Sequence, residues 1–200
     1  MTPTAAPAAR RSADKREAIL AATLRLVARS GLHNAPMSAI AREAGVAVGT
    51  AYLYFDGKDA LINSLYLAVV RERDATALPD VDAALPAEEQ LWASWSRYTH
   101  WHLEHRDAAN FIQQCEASGI LTEETRARQM EIREAGVESF VDSVRRGVLR
   151  ELPVEVFYAL YTGPILVLSH MQDKREIEIT DEVLRQTFGG VCRSVLRGGG

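Results

Sequence analysis

The stretch IAREAGVAVGTAYLYF, residues 40–55, decides the fold of this chain. Residues at helical spacing lie on both sides of Gly45, which predicts two short helices, over 37–44 and 48–54, joined by a turn of a few residues. A longer helical pattern precedes them at 15–30 and stops at Gly31. Three helices in this order form a helix-turn-helix, whose last helix enters the DNA major groove.

Side chains within this stretch divide into a core set and an exposed set. Small residues at 41, 44, 45 and 47 allow the two helices to cross closely, and Ile40, Val46 and Phe55 are expected in the core. Two aromatic residues separated by one position on a short helix cannot both face inward. The exposed face is therefore expected to offer DNA a set of mostly apolar and aromatic residues: Val48, Gly49, Thr50, Tyr52, Leu53 and Tyr54.

The rest of the chain carries only helical patterns, which predicts an all-α protein. Asp56 is expected to cap a fourth helix with Asp59 as a capping-box-like partner, and five more helices are expected over 91–105, 107–117, 122–149, 154–172 and 180–196. A joint is expected at 78–86, where prolines and aspartates cluster. We expect a flexible tail over 1–13, a helix-turn-helix DNA-binding domain over 14–60, and a helical ligand-binding and dimerisation domain over 61–197. The fourth helix, from about residue 58, connects the two domains.

Charge is distributed unevenly along the chain. The net charge is −4, yet residues 1–60 carry eight Lys and Arg against five acids, a net of +3, which leaves −7 on the remainder. A basic module on an acidic body favours attachment of one end to a polyanion.

A cytoplasmic location without a membrane span is expected from three observations. The longest uncharged run, residues 156–172, is shorter than the roughly 20 apolar residues of a spanning helix. The arginine pair at 10 and 11 is followed by an amphipathic pattern where an export signal needs an apolar one. The two cysteines, Cys115 and Cys192, form no dense disulfide framework.

Three segments in the right order and spacing, AILAATLRLVARSG (18–31), IAREAGVAVGTAYLYF (40–55) and GKDAL (57–61), resemble the DNA-binding domain of the tetracycline-repressor (TetR) family. The resemblance implies that Gly49 lets the backbone approach the groove, that Thr50 and Tyr52 meet bases and phosphates, and that Leu53 touches a thymine methyl. It also implies phosphate contacts from Tyr54 and Lys58. Ala35, Ala47 and Val48 depart from the family pattern, and Ala47 lacks an oxygen to cap the recognition helix, at a cost of about 1 kcal/mol relative to Ser.

An aromatic segment beyond the joint is the candidate ligand site, at the place where the resemblance implies the inducer. Trp95, Tyr98 and His102 share one helical face, and Phe111 and Cys115 complete the candidate set. An ordinary packed core is the competing interpretation. His102 and His105 lack the further ligands of a metal site, so we expect no metal and no cofactor. No nucleophile motif points to an enzyme.

The last two helices are predicted to form a dimer interface. The helix over 154–172 is apolar nearly all round, and with the following helix it resembles the pair that builds the four-helix interface of this family. The expected interface residues are Phe157, Leu160, Leu168, Leu184, Phe188, Val191 and Val195. A core within one chain is the alternative.

Together these expectations describe a homodimeric repressor of a palindromic operator in double-stranded DNA, released by a small apolar or aromatic-containing inducer. The alternative is a helical small-molecule-binding or enzymatic protein whose basic N-terminal domain serves attachment only.

Overall fold

The computed structural model describes residues 7–77 and 84–198, and helices dominate this part of the chain. An isolated β-bridge joins Leu149 to Leu196. The all-α class is confirmed, with helices α1 (Pro7–Ser30), α2 (Met37–Glu43), α3 (Val48–Tyr54), α4 (Lys58–Ala77), α5 (Ala87–Glu104), α6 (Arg106–Ser118), α7 (Glu123–Arg145), α8 (Val154–Asp173) and α9 (Asp181–Val195).

Several helix ends differ from their expected positions. Helix α1 begins at Pro7, so part of the expected tail is helical; proline suits the first helical position, and the alanines that follow have high helix propensity. The expected cap at Asp56 is wrong, because α4 begins at Lys58 directly after Gly57. Helix α7 ends at Arg145, short of the expected 149, because Leu149 enters the β-bridge. Residues 1–6 of the expected tail and 78–83 of the expected joint lie outside the described residues.

Contacts divide the chain into two compact units. Unit 1 contains the described residues up to 70 together with Asp107–Gln129, and unit 2 contains Arg71–Arg106 and the described residues from Met130 onward. Helices α4 and α7 therefore contribute residues to both units. The first division falls ten residues later than the expected boundary at residue 60.

Within unit 1, specific polar contacts join α4 to α6 and to the segment that follows α6. The side chain of Asn63 donates to the carbonyl of Ile120 (3.0 Å) and accepts from the amide of Thr122 (3.0 Å). The hydroxyl of Tyr66 lies 2.9 Å from a carboxylate oxygen of Glu116. Several side chains of α4 are also buried. Because of these polar contacts, residues 107–129 belong to the same unit as the N-terminal helices.

Unit 2 has its own core, in which α8 and α9 pack on α5. The rings of Trp92 and Phe188 meet in a T-shaped arrangement with their centroids 5.0 Å apart, and the centroid of the Trp95 ring lies 5.5 Å from that of Phe188. Six of the seven expected dimer residues are buried here within one chain: Phe157, Leu168, Leu184, Phe188, Val191 and Val195. These six side chains pack inside one chain, as the alternative interpretation expects, and the dimer interface itself stays a prediction.

Candidate functional site

The first candidate site is the exposed face of α3, which rests on a tightly packed base. Ile40 and Ala41 of α2 and Ala51 of α3 are fully buried, and Phe55 is nearly so. Ala51 was missed by the sequence analysis, although its spacing of four from Phe55 places both on one face. The packing leaves α3 with one buried side and one side open to solvent.

The turn between α2 and α3 is fixed by its backbone. Gly45 adopts φ +68°, a left-handed conformation that side-chain-bearing residues rarely adopt, and the Val46 amide donates to the Ala41 carbonyl at 2.9 Å. Val46 itself is half-buried, less than expected. The tight turn holds α3 at a defined angle to α2, as a helix-turn-helix requires.

Two arginines of α1 hold α2 in place from the other side. Arg29 contacts the carboxylate of Glu43 at 2.9 Å and Arg25 contacts it at 3.2 Å. Hydrogen bonds from Arg29 and then from Arg25 lower the pKa of Glu43 below its usual value. The carboxylate therefore stays ionised, and these two cations are engaged within the protein.

The open side of α3 presents apolar and aromatic side chains to solvent. Leu53 is 84% exposed and Tyr52 is 52% exposed, while Tyr54 and Thr50 are half-buried and Val48 is exposed. Large side chains projecting from a short rigid helix fit contacts to base methyl groups and phosphates.

Gly49 lies on the same open side. A Cβ atom built on Gly49 would meet nothing within 4 Å, and its φ is not in the left-handed range. Neither packing within the chain nor the backbone conformation therefore requires glycine at position 49. Close approach of the backbone of a binding partner is a remaining reason for it.

Both ends of α3 carry features relevant to binding. Ala47 occupies the N-cap and makes no side-chain capping bond, as its lack of an oxygen predicts. After the C-terminus, Lys58 is half-buried and its Nζ donates to the carbonyl of His33 at 3.0 Å.

The expected ligand residues do not gather at one place. Trp95 is fully buried, and its indole Nε1 donates to the Tyr161 carbonyl at 2.9 Å. His102 is buried beside Tyr98, and burial lowers its pKa to about 4. Phe111 and Cys115 are buried in α6 of unit 1, where burial raises the pKa of the Cys115 thiol to about 12. Tyr98 alone among the five lines the cavity of unit 2.

That cavity measures about 110 Å³, is partly open to solvent and is lined by residues of four helices. Its lining combines two cations, one carboxylate, three phenols and two hydroxyls: Arg73 and Asp74 of α4, Ser94 and Tyr98 of α5, Arg133 and Gly136 of α7, and Tyr158, Tyr161 and Thr162 of α8. Eight of these nine residues were missed by the sequence analysis. Tyr158 and Tyr161 lie on one face of the helix because they are three residues apart, and this spacing was the one pattern in the sequence that could have indicated the cavity.

Polar contacts organise the cavity walls. Arg73 Nε donates to Asp74 Oδ1 at 2.7 Å, and both side chains are almost fully buried. The hydroxyls of Ser94 and Tyr161 lie 2.6 Å apart. Burial raises the pKa of Tyr158 and of Tyr161. The phenols are therefore neutral hydrogen-bonding groups at neutral pH.

An apolar stripe on the outer side of α8 is a further candidate surface. Val156, Leu160, Gly163, Val167 and His170 recur at alternating spacings of four and three, and Val167 is 58% exposed. A Cβ on Gly163 would meet nothing within 4 Å. Leu160, which is half-buried and packs partly against the core of its own chain, is the one residue of the expected interface that lies on this stripe.

Helix α8 is also long and apolar enough to cross a membrane by length and composition, with 22% of its apolar window buried. Interface helices share this composition, so the finding is weak evidence for a span.

The N-terminal part of the chain is similar to a known family. Residues 19–65 match the family model described as bacterial regulatory proteins, tetR family. An uncharacterized HTH-type transcriptional regulator of Haemophilus influenzae is 36% identical over 104 residues, which are 52% of this chain and 56% of that protein. The chain thus spans about half the length of this curated relative.

Solved structures extend the likeness over nearly the whole chain. A TetR-family transcriptional regulator from Haemophilus influenzae Rd superposes with a TM-score of 0.75 at 25% identity, covering 92% of this chain and 97% of that one. A TetR family transcription regulator from Marinobacter aquaeolei VT8 superposes with a TM-score of 0.86 at 23% identity, covering 94% and 98%. The second likeness concerns the fold alone.

Proposed function

We propose that this chain, whose residues 19–65 match the tetR-family model of bacterial regulatory proteins, is a ligand-responsive repressor that binds a palindromic operator in double-stranded DNA. The observation that carries the proposal is the open face of α3, where Tyr52 and Leu53 project from a helix that packs on the rest of the domain through the fully buried Ala51. An exposed tyrosine and leucine side by side expose apolar surface to water, and contact with DNA removes that cost.

We assign the DNA contacts to Val48, Gly49, Thr50, Tyr52, Leu53, Tyr54 and Lys58. The phenols and the lysine donate to phosphates and fix the register of the helix, whereas Leu53 and Val48 suit thymine methyl groups. Base hydrogen bonds are few in this set, so part of the specificity comes from DNA shape.

A second copy of the chain is the proposed occupant of the outer stripe of α8. Alternating spacings of four and three are the pattern of a helix that packs against another helix along its length. Gly163 allows the two backbones to approach, and, as the residue before Pro164 inside α8, it also avoids the clash of a Cβ with the proline ring. A two-fold dimer then presents two copies of α3 to a two-fold symmetric site.

Induction is proposed to begin in the cavity of unit 2. Helix α4 carries Arg73 and Asp74 at the cavity wall and Lys58 at its first turn, so one continuous helix joins residues of both proposed sites. A ligand that favours the non-binding arrangement by roughly 1–3 kcal/mol loosens DNA about 5- to 150-fold. The regulator acts in the cytoplasm, by binding alone, without catalysis.

Capture of genomic fragments by the purified protein tests the proposal. We expect the wild type to retain a small set of fragments that share an inverted repeat. Tyr52→Ala should lose this enrichment, and Met130→Ala, which removes an exposed apolar side chain from α7, should keep it. Retention without any sequence preference would favour a small-molecule-binding protein whose basic end serves attachment only.

A further inference from the structure

The cavity of unit 2 carries one positive charge more than its own carboxylate neutralises. Arg73 is paired with Asp74 at 2.7 Å, whereas Arg133, half-buried on the α7 side, forms no ion pair within the described ranges 7–77 and 84–198. A guanidinium that is partly removed from water without a counterion is costly. One negative charge from outside the chain would balance the site.

Tyr158 places a second donor beside Arg133. The Arg133 guanidinium lies 6.0 Å from the centre of the Tyr158 ring, and the Tyr158 hydroxyl lies where a Cβ on Gly136 would be only 3.0 Å away. Within the described part of the chain this hydroxyl makes no hydrogen bond, in contrast to that of Tyr161, which is paired with Ser94. Arginine and a phenol together are a donor set for a carboxylate.

The other residues that line the cavity indicate the chemistry of the remainder of the ligand. The rings of Tyr98, Tyr158 and Tyr161 offer an apolar and aromatic wall, so the body of the ligand is apolar. Asp74 repels a second negative charge, which disfavours a dianion such as a phosphate monoester. The excess of one positive charge matches a single carboxylate.

We propose that the inducer is a monocarboxylate with an apolar body, held by Arg133 and the hydroxyl of Tyr158. The proposal rests on the proposed function, since it names the ligand class of the same repressor. Arg133 binds the carboxylate through charge-assisted hydrogen bonds. Because Gly136 has no Cβ atom, the Tyr158 hydroxyl can lie close to the backbone of α7.

Titration calorimetry of the full chain without DNA tests this directly. The probes are octanoate and phenylacetate, each compared with its neutral primary amide, octanamide and phenylacetamide. We expect at least one acid to bind about tenfold or more tightly than its amide, because charge-assisted bonds are roughly twice as strong as neutral ones. Arg133→Gln should abolish this preference, and Arg145→Gln, at an exposed arginine on the same helix, should retain it.

Tyr158→Phe provides a second variant that removes one oxygen only, and it should weaken the acid severalfold while leaving the amide nearly unchanged. The proposal is overturned if neither acid binds the wild type, if acids and amides bind equally, or if Arg133→Gln keeps the preference. Normal retention of operator fragments together with any of these results overturns the ligand class alone. Loss of fragment selectivity with an intact acid preference overturns the repressor function alone.

Discussion

The Nζ atom of Lys58 donates a hydrogen bond of 3.0 Å to the main-chain carbonyl of His33, which ties the first turn of α4 to the segment between α1 and α2. An ammonium group has three donors, so this bond leaves two for a phosphate. Lys58→Ala should weaken operator binding and reduce the slope of log K against log salt by about one. Fluorescence anisotropy over a series of salt concentrations measures both quantities.

Lys174→Ala is the matched control for the lysine, because Lys174 is exposed after the end of α8 in unit 2. We expect it to leave the salt slope unchanged. A Lys58→Ala variant that folds normally and keeps the wild-type slope would contradict the phosphate assignment.

A charge on the outer stripe of α8 should split the dimer without unfolding the chain. Because Val167 is 58% exposed, Val167→Glu should change the stability of a single chain little. In the dimer, however, it would bury a carboxylate against the partner chain, which is unfavourable. Sedimentation should show a monomer, and tight operator binding should be lost with the dimer, since each half-site supplies only part of the affinity. Met130→Glu, at an exposed position on α7, should stay dimeric.

Phe188 is unsuitable for the same test, although the sequence places it in the interface. Its ring packs against Trp92 and Trp95 within one chain, so a charge there would unfold unit 2. A Val167→Glu protein that remains a dimer would exclude this face of α8 as the interface.

The buried His102 should make stability depend on pH. Burial lowers its pKa in the folded chain to about 4 from the ordinary 6.5, so between these values the unfolded chain takes up a proton that the folded chain refuses. The free energy of unfolding should therefore fall as pH decreases from 6.5 to 4, by about 3 kcal/mol from this residue. Above 6.5 the contribution is constant.

His102→Asn should remove this part of the pH dependence, as measured by urea unfolding at pH 7 and near pH 4. His100→Asn is the control, because exposed His100 contacts the Ser96 carbonyl as His102 contacts that of Tyr98, four residues back in each case. Equal pH dependence of the wild type and the His102 variant would show that the ring is charged or solvated in the folded state.

Filling the space at Gly136 should separate ligand binding from stability. Alanine in place of a helical glycine favours the helix by roughly 0.5–1 kcal/mol, but here the new Cβ would lie 3.0 Å from the Tyr158 hydroxyl and displace it. We expect Gly136→Ala to change the free energy of unfolding by less than about 1 kcal/mol and to weaken carboxylate binding severalfold. Ser139→Ala, exposed on the same helix, should leave binding intact; equal binding by both variants would place the ligand elsewhere.

The helix-turn-helix could be predicted because its signals are local. Gly45 marks a turn that only a few residue types accept, and the residues around it must be small or apolar in fixed positions. The bounds of α3 were predicted to the residue for this reason. The start of α4 was not, because Asp56 and Gly57 compete for the position before the helix.

The cavity and the faces of α8 could not be predicted because both depend on long-range packing. A helix that is apolar nearly all round does not show which face meets its own chain, and the core face through Phe157 and Leu168 is rotated from the outer stripe through Val167. Arg73 and Arg133 line the same cavity although their helices are far apart in the sequence. The density of aromatic residues predicts a ligand contact at Trp95, but the ring of Trp95 lies in the core.

Recognition of a palindromic site by two copies of α3 is tested most directly by anisotropy titration of a duplex that carries the inverted repeat from the captured fragments. The wild type should bind it about a thousandfold or more tightly than a scrambled duplex, with two chains per site. Tyr52→Phe, which removes one exposed hydroxyl, should weaken binding about tenfold by loss of a hydrogen bond to a charged phosphate. Equal affinity for the repeat and the scrambled duplex would contradict the assignment of this protein as a sequence-specific repressor.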